Sequence, residues 1–515
     1  MSEQPPQPSK AGRREWIGLV VLALPCLLYS MDLTVLHLAV PKLTADLRPS
    51  SAQLLWIIDI YGFLVAGSLI TMGTLGDRIG RRKLLLIGAA AFGVASVAAA
   101  FSGSAQMLIA TRALLGVAGA TIAPSTLSLI RNMFQDPQQR TTAIGVWVTS
   151  FSIGGAIGPL VGGVLLETFW WGSVFLIGVP VMVLLLAVGP RLLPEYRDPN
   201  PGRLDLISAG LSLTAVLAAI YGLKRIAQDG VTAGALAFIA AGIAIAAVFA
   251  RRQLRMPDPL LDLRLFRVRG FSPSLATYGL SILLSFGAFL FLPQYLQLVL
   301  GMQPFRAGLW TLPWTVAFVA GSMLTPVIVR RVRPATVMTA GLVGAAAGFA
   351  LLARIDATTG FALFAGCTTL FAFGLSPVFT LTTDLIIGSA PPERAGAASA
   401  ISETSAEFGG ALGIALFGSI GVAVYRAMVD DALPPGVSTE VAESAKGTLA
   451  GAISAARELP DRAGAVLVTT AQAAFVKGLR LCAAISSAAS LALAAFVSAT
   501  LRRPAAAAPP PAPSA

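Results

Sequence analysis

Charge is scarce in this 515-residue chain: Asp, Glu, Lys and Arg make up 12% of it, against 56% hydrophobic residues. A soluble domain carries about 25% charged residues, so this chain has too few to cover a water-facing surface. Histidine is nearly missing, with His37 alone, which excludes a multi-histidine metal centre. Cys26, Cys367 and Cys482 all fall in apolar runs without CxxC spacing, so neither a disulfide framework nor a metal site is readable. The sequence has no Walker-type glycine loop, which argues against direct use of ATP, and no clustered nucleophile, base or metal set that would mark an enzyme.

What is present is hydrophobicity, with a mean hydropathy of +0.77. A bilayer-crossing helix needs about 20 mostly apolar residues, and only helices or closed barrels satisfy the backbone there. Fourteen runs meet that length, near 17–40, 53–75, 84–102, 105–130, 141–166, 172–193, 204–223, 231–250, 271–300, 307–329, 335–353, 361–388, 396–424 and 474–501. The expected fold is an all-α polytopic membrane protein with fourteen transmembrane helices. The net charge of +12 does not mark a nucleic-acid binder, because the basic residues sit in short breaks between apolar runs. With both termini inside, 24 of the 37 Lys and Arg fall in inner segments. Lys42, Arg48, Lys224, Arg225, Arg306 and Arg354 are left in short outer loops, so both termini are expected in the cytoplasm.

Residues 1–16 read as a polar cytoplasmic tail, followed by an uncleaved first span. The tail 504–515 reads as disordered low-complexity chain. The segment 425–473 is too polar to span and lands outside, with Ala-rich stretches that look helical. GTLGDRIGRRK after span two is echoed weakly by GSMLTPVIVRRVRP after span ten. The echo divides the chain into a six-helix bundle at 17–193, two inserted helices at 204–250 and a second six-helix bundle at 271–501.

Asp32, Asp59, Glu403 and Glu407 lie inside apolar runs, where an ionised carboxylate costs several kcal/mol unless paired or hydrated. Such residues mark a proton-coupling or cation-binding pathway. Glu403 and Glu407 are an i, i+4 pair on one helix face, and two close carboxylates in a low dielectric titrate as a unit. A salt bridge to Arg112, the one intramembrane arginine, is the alternative for Asp32. Asp384, near the inner end of span twelve, reads equally as a capping or a functional group. His37 reads as a solvated interfacial residue or a proton relay. Aromatic faces attract organic cations, which makes Trp56, Tyr61, Trp147, Phe151, Phe286, Phe289, Tyr295, Trp310 and Trp314 candidates for a substrate pocket. Gln294 and Gln297 are further cavity candidates, whereas Trp170 and Trp171 fit an interfacial belt. In GGAIGPLVGG, the residues Gly154, Gly158, Pro159, Gly162 and Gly163 imply tight, kinked helix packing.

Together these motifs resemble the major facilitator superfamily. GTLGDRIGRRK (Gly73 to Lys83) is similar to its loop signature, RALLGVAG from Arg112 to its fourth-helix motif, and GPLVGG to the fifth-helix motif of its proton-coupled exporters. MDLTVLHLAVP, LWIIDIYGF and the fourteen spans resemble its fourteen-helix drug:proton antiporter family, and within that the quaternary-ammonium efflux pumps, over essentially the whole chain.

The resemblance implies alternating access, with Asp32, Asp59, Glu403 and Glu407 exchanging protons for lipophilic cations and Arg112 as charge partner. Gly73, Asp77, Arg78, Gly80 and Arg81 would form the cytoplasmic gate. Where some of these pumps carry a tenth-span aspartate that recognises dications, this chain has Phe318 in LPWTVAFVAG, which favours monovalent lipophilic cations. Where they carry two adjacent glutamates in span thirteen, it has Ser402 and Glu403, so coupling would rest on fewer groups. The implied export runs on the proton gradient without a cofactor, in a monomer in the bacterial plasma membrane surrounded by lipid. The residues themselves leave open an MFS carrier of another solute, such as a nutrient, lipid or envelope precursor.

Overall fold

The computed structural model describes residues 10–49, 51–197, 205–256, 259–261, 263–356, 360–391, 394–430, 442 and 445–501. The expectations for 1–9, for 431–441 and for the tail 504–515 fall outside them. Among the described residues every regular element is helical, and fourteen helices are long and apolar enough to cross a membrane.

In chain order these are α1 (Arg13–Leu47), α2 (Ser51–Ile79), α3 (Arg81–Ala100), α4 (Ala105–Met133), α5 (Pro137–Thr168), α6 (Ser173–Leu192) and α7 (Leu206–Asp229). They continue as α8 (Ala233–Arg255), α9 (Phe271–Val299), α10 (Arg306–Ile328), α11 (Pro334–Leu352), α12 (Phe361–Ser389), α13 (Ala395–Asp430) and α14 (Asp461–Thr500). Polar side chains start several of them: Ser104, Asp136 and Thr232 each accept from a backbone N–H three residues on, and Pro137 follows Asp136 at the first helical position.

Two boundaries differ from the hydropathy reading. The segment 425–473, whose Ala-rich stretches look helical, is helical over much of its described length, and the helices of spans thirteen and fourteen extend into it: α13 runs to Asp430, a short helix covers Leu449–Ala456 and α14 starts at Asp461. A 40-residue helix is about 60 Å long, twice the hydrocarbon thickness, so its polar end continues past the apolar run that marks the span. For the same reason Lys42, Lys224 and Arg225 belong to helices α1 and α7 rather than to loops.

The packing repeats with an offset of eight helices. α1 packs on α5, α2 on α4 and α3 on α6; likewise α9 packs on α13, α10 on α12 and α11 on α14. The inserted α7 and α8 pack on each other, and α7 also lies against α2 and α13. Asp205 fixes the start of this inserted pair: its carboxylate accepts from Arg252 Nε at 2.8 Å and caps the Ile207 N–H at 3.1 Å. The hydrogen bond from Arg252 holds that carboxyl well below its usual range.

A second sequence echo explains the α1–α5 and α9–α13 crossings. Residues 154–158 read GGAIG and residues 409–413 read GGALG. A Cβ at Gly154 would collide with the Leu27 carbonyl of α1, and a Cβ at Gly413 with the Leu283 carbonyl of α9. Only glycine lets these backbones touch, as expected where helices pack without a hydrophobic driving force between them. Gly413→Leu should therefore destabilise the purified protein by about 1–3 kcal/mol through overpacking, lowering its thermal melt. Gly163→Ala, where the added Cβ meets nothing within 4 Å, should leave the melt unchanged.

Candidate functional site

The four membrane acids are each handled differently. Asp32 on α1 faces Arg112 on α4, with Nη1 to Oδ2 at 3.0 Å. Arg112 is 1% exposed, and its fork is further held by the Ile57 carbonyl at 2.8 Å and the Ile58 carbonyl at 3.5 Å of α2. The guanidinium also lies 5.0 Å from the centre of the Tyr61 ring. Of the two readings open for Asp32, the arginine pair is the observed geometry.

Asp59 on α2 pairs with Lys224 of the inserted α7. Glu407 on α13 accepts a hydrogen bond from the Tyr29 hydroxyl of α1 at 3.2 Å, joining the two sets of six helices at mid-span. Glu403, one turn away, lies near Tyr278 on α9, and its Oε1 is buried with no hydrogen-bond partner among the described residues. The Tyr61 hydroxyl is likewise buried without a partner.

Aromatic rings surround these groups. Tyr29 sits 6.1 Å from Tyr61 and 5.6 Å from Phe151, and Phe151 sits 4.6 Å from Trp147. Trp147 is buried, its Nε1 donating to Thr126 at 3.0 Å. Tyr61, Trp147 and Phe151 thus line the same region as the acids. Phe286 packs against Gly410 of α13, Phe289 against Trp314 and Phe318 against Phe379. Trp56 and Phe286 are nearly half exposed. Tyr295 is fully buried, stacked on Phe364 with its hydroxyl on the Asp356 carbonyl, and Trp310 lies against Phe361. Gln294 donates to its own helix at Leu290, and Gln297 is half-buried beside it. Trp170 donates to the Ala100 carbonyl and Trp171 to Asp46.

Fourteen crossings put the first and last helical ends on one face of the bundle, here the terminal face. There the two halves lock together. Asp77 pairs with Arg81, and its other oxygen accepts from the Ala397 N–H in the first turn of α13 at 3.2 Å, where the helix dipole favours an anion. A Cβ on Gly73 would sit 2.7 Å from the Gly396 carbonyl, so that approach requires glycine. Gly80 adopts φ 111°, a left-handed region that glycine enters without steric cost, and lets Glu195 cap the Arg82 and Lys83 N–H groups. Arg78 precedes it at the end of α2. Asp384 accepts from Arg140 at 2.7 Å and from Thr141 at 2.7 Å, binding α12 to α5. Ser322 and Thr380 share a hydrogen bond at 2.7 Å beside Gly145.

In α5, Gly158 abuts Met31 of α1, Gly162 is buried and Gly163 faces open space. The side chains of His37 and Pro159 lie outside the described set. Sequence reading did not single out Tyr29, Tyr278, Lys224 or Arg140. Only Tyr29 had a signal, lying three residues before Asp32 on the same helix face.

A family model described as Major Facilitator Superfamily matches residues 22–414. The chain belongs to that superfamily. It is 44% identical to the multidrug efflux pump LfrA of Mycolicibacterium smegmatis over 97% of this chain and 99% of that one. It is 36% identical to the methyl viologen resistance protein SmvA of Salmonella typhimurium over 93% of this chain and 96% of that one. The fold matches the crystal structure of the human organic anion transporter MFSD10 with a TM-score of 0.59 at 14% identity, covering 96% of this chain and 100% of that chain. The chain is a multi-pass plasma-membrane transporter and not an enzyme.

Arg112→Met leaves Asp32 as an uncompensated buried charge and should cost about 3–5 kcal/mol. Combining it with Asp32→Asn should recover most of that loss. Thermal melts of the single and double variants in detergent check this, and equal melts would break the pairing argument.

Proposed function

We propose that this transporter exports lipophilic cationic drugs, dyes and quaternary ammonium compounds in exchange for protons, by alternating access across the bacterial plasma membrane with both termini in the cytoplasm. The observation that carries the reading is the mid-span acid pair, Glu407 tied across the two halves to Tyr29 and Glu403 with a buried, unpartnered oxygen. A group so placed must hold a proton or a positive charge to be stable away from water. The relatives named for multidrug efflux and methyl viologen resistance support export of such compounds.

Coupling needs only competition. With the terminal face closed, the acids take protons from the outside. Once that face opens, an organic cation held by the carboxylates and by Tyr29, Tyr61, Trp147 and Phe151 displaces them, and the return movement carries it out. Asp77 and Arg81 would have to part from α13, and Arg140 from Asp384, in each cycle, as the cytoplasmic gate. The proton gradient supplies the free energy, so no cofactor takes part, and a single chain surrounded by lipid contains the whole path. Phe318, packed against Phe379 where an acid would add charge, fits monovalent cations.

Ethidium efflux from energised cells tests this. Export should be abolished by a protonophore and reduced to background in Glu403→Gln or Glu407→Gln. An intact, membrane-inserted protein that moves no cationic dye under a proton gradient would sink the reading and bring forward another solute.

A further inference from the structure

Helix α7 lies in the seam between α2 of one half and α13 of the other. Phe63, Val216 and Ile220 form a small apolar cluster there, with Tyr221 and Phe408 packed against it. Phe408 is the neighbour of Glu407, so the cluster fixes the inserted helix against the acid-bearing turn. Lys224 follows Ile220 and Tyr221 on the same face of α7, four and three residues on. A lysine near a helix end ordinarily extends its ammonium to the interface. Lys224 instead pairs with Asp59, about 12 Å along α2 from Ser51, with its Nζ 4.5 Å from the centre of the Phe63 ring. Glu407 lies within its electrostatic reach. An ammonium held between a carboxylate and an aromatic face is the arrangement by which an organic cation would be bound.

The two basic partners of the site differ in how firmly they are held. Arg112 is buried and bonded to two backbone carbonyls besides Asp32. The Lys224 side chain is 36% exposed and has no hydrogen bond to any described residue other than Asp59. Its flexible stem lets it leave by giving up only the Asp59 pair and the contact with the Phe63 ring.

We propose that Lys224, carried on the inserted helix pair, is a tethered cation that occupies the Asp59 arm of the site and that an incoming organic cation must displace it. The inference rests on the cation-export reading above. It gives the inserted helices a role in setting affinity: the site holds an internal competitor whose removal frees one more carboxylate.

The test is binding of tetraphenylphosphonium, a monovalent lipophilic cation, to the purified full-length chain in nanodiscs at fixed pH. Lys224→Met should bind it about tenfold more tightly, which corresponds to about 1.4 kcal/mol. Lys224→Arg should stay near the original affinity, and adding Asp59→Asn to Lys224→Met should remove the gain. Unchanged or weaker binding in a well-folded Lys224→Met, or a gain that survives Asp59→Asn, overturns the assignment. A second measurement needs no variant: saturating tetraphenylphosphonium should free the Lys224 amine and speed its acylation by an amine-reactive ester, read by peptide mass spectrometry. Equal or slower labelling overturns the proposal. An unaltered chain that binds no cation overturns the export reading itself, whereas binding indifferent to Lys224 overturns only the role of the lysine.

Discussion

A carboxylate inside a bilayer must be compensated, and the organisation of this protein follows from how four of them are. Asp32 is met by a guanidinium that is itself locked to the backbone of α2. Asp59 is met by an ammonium on a flexible stem, and Glu407 by a neutral hydroxyl. Glu403 keeps one buried oxygen with no hydrogen-bond partner among the described residues. The four therefore form a graded series, from a charge compensated permanently to one that only a mobile proton or ligand can compensate. The fixed pair gives the site its shape, and the loosely held groups are the ones on which transport can act.

That series depends on backbone contact. Tyr29 reaches Glu407 because α1 and α13 belong to two tightly packed crossings, each closed by a GGA(I/L)G stretch pressed against its neighbour's carbonyls. Larger side chains there would push the helices apart and move the hydroxyl away from the carboxylate. Small residues in α5 and α13 thus act on chemistry at α1 without touching it, as positioning elements. The inserted α7 uses the opposite means, filling its seam with Phe63, Tyr221 and Phe408.

The spans, their number and the four acids were legible because a carboxylate in an apolar run stands out against its surroundings. Arg112 was legible as a partner for Asp32 on the same ground. Tyr278 was not, and Tyr29 only through its spacing from Asp32, because a helix that is hydrophobic all round gives no periodicity from which to read its rotation. Lys224 was misplaced in a loop because α7 continues past its apolar stretch, and hydropathy marks only the part that lies in lipid. The pair of Arg140 with Asp384 joins residues 244 positions apart, and neither segment carries a pattern that points at the other. The GGAIG and GGALG echo was visible in the sequence, yet its meaning depends on knowing which helix each stretch faces.

Two kinds of contact cross between the halves, and they differ in what can break them. At the terminal face the bonds of Asp77 to the Ala397 N–H and of Arg140 to Asp384 are largely buried but sit at helix ends, which water can reach once the halves part. At mid-span the Tyr29 to Glu407 bond lies far from the helix ends, so leaving it unmade is costly and its natural replacement is another partner. In the proposed cycle, the occupant of the acid pair therefore decides the strength of the mid-span tie, and the terminal face responds by opening or closing. Coupling then follows from this division of polar contacts: the partner exchange sits where proton and cation compete, and the bonds at the helix ends, which water can reach as they part, sit where the gate must move.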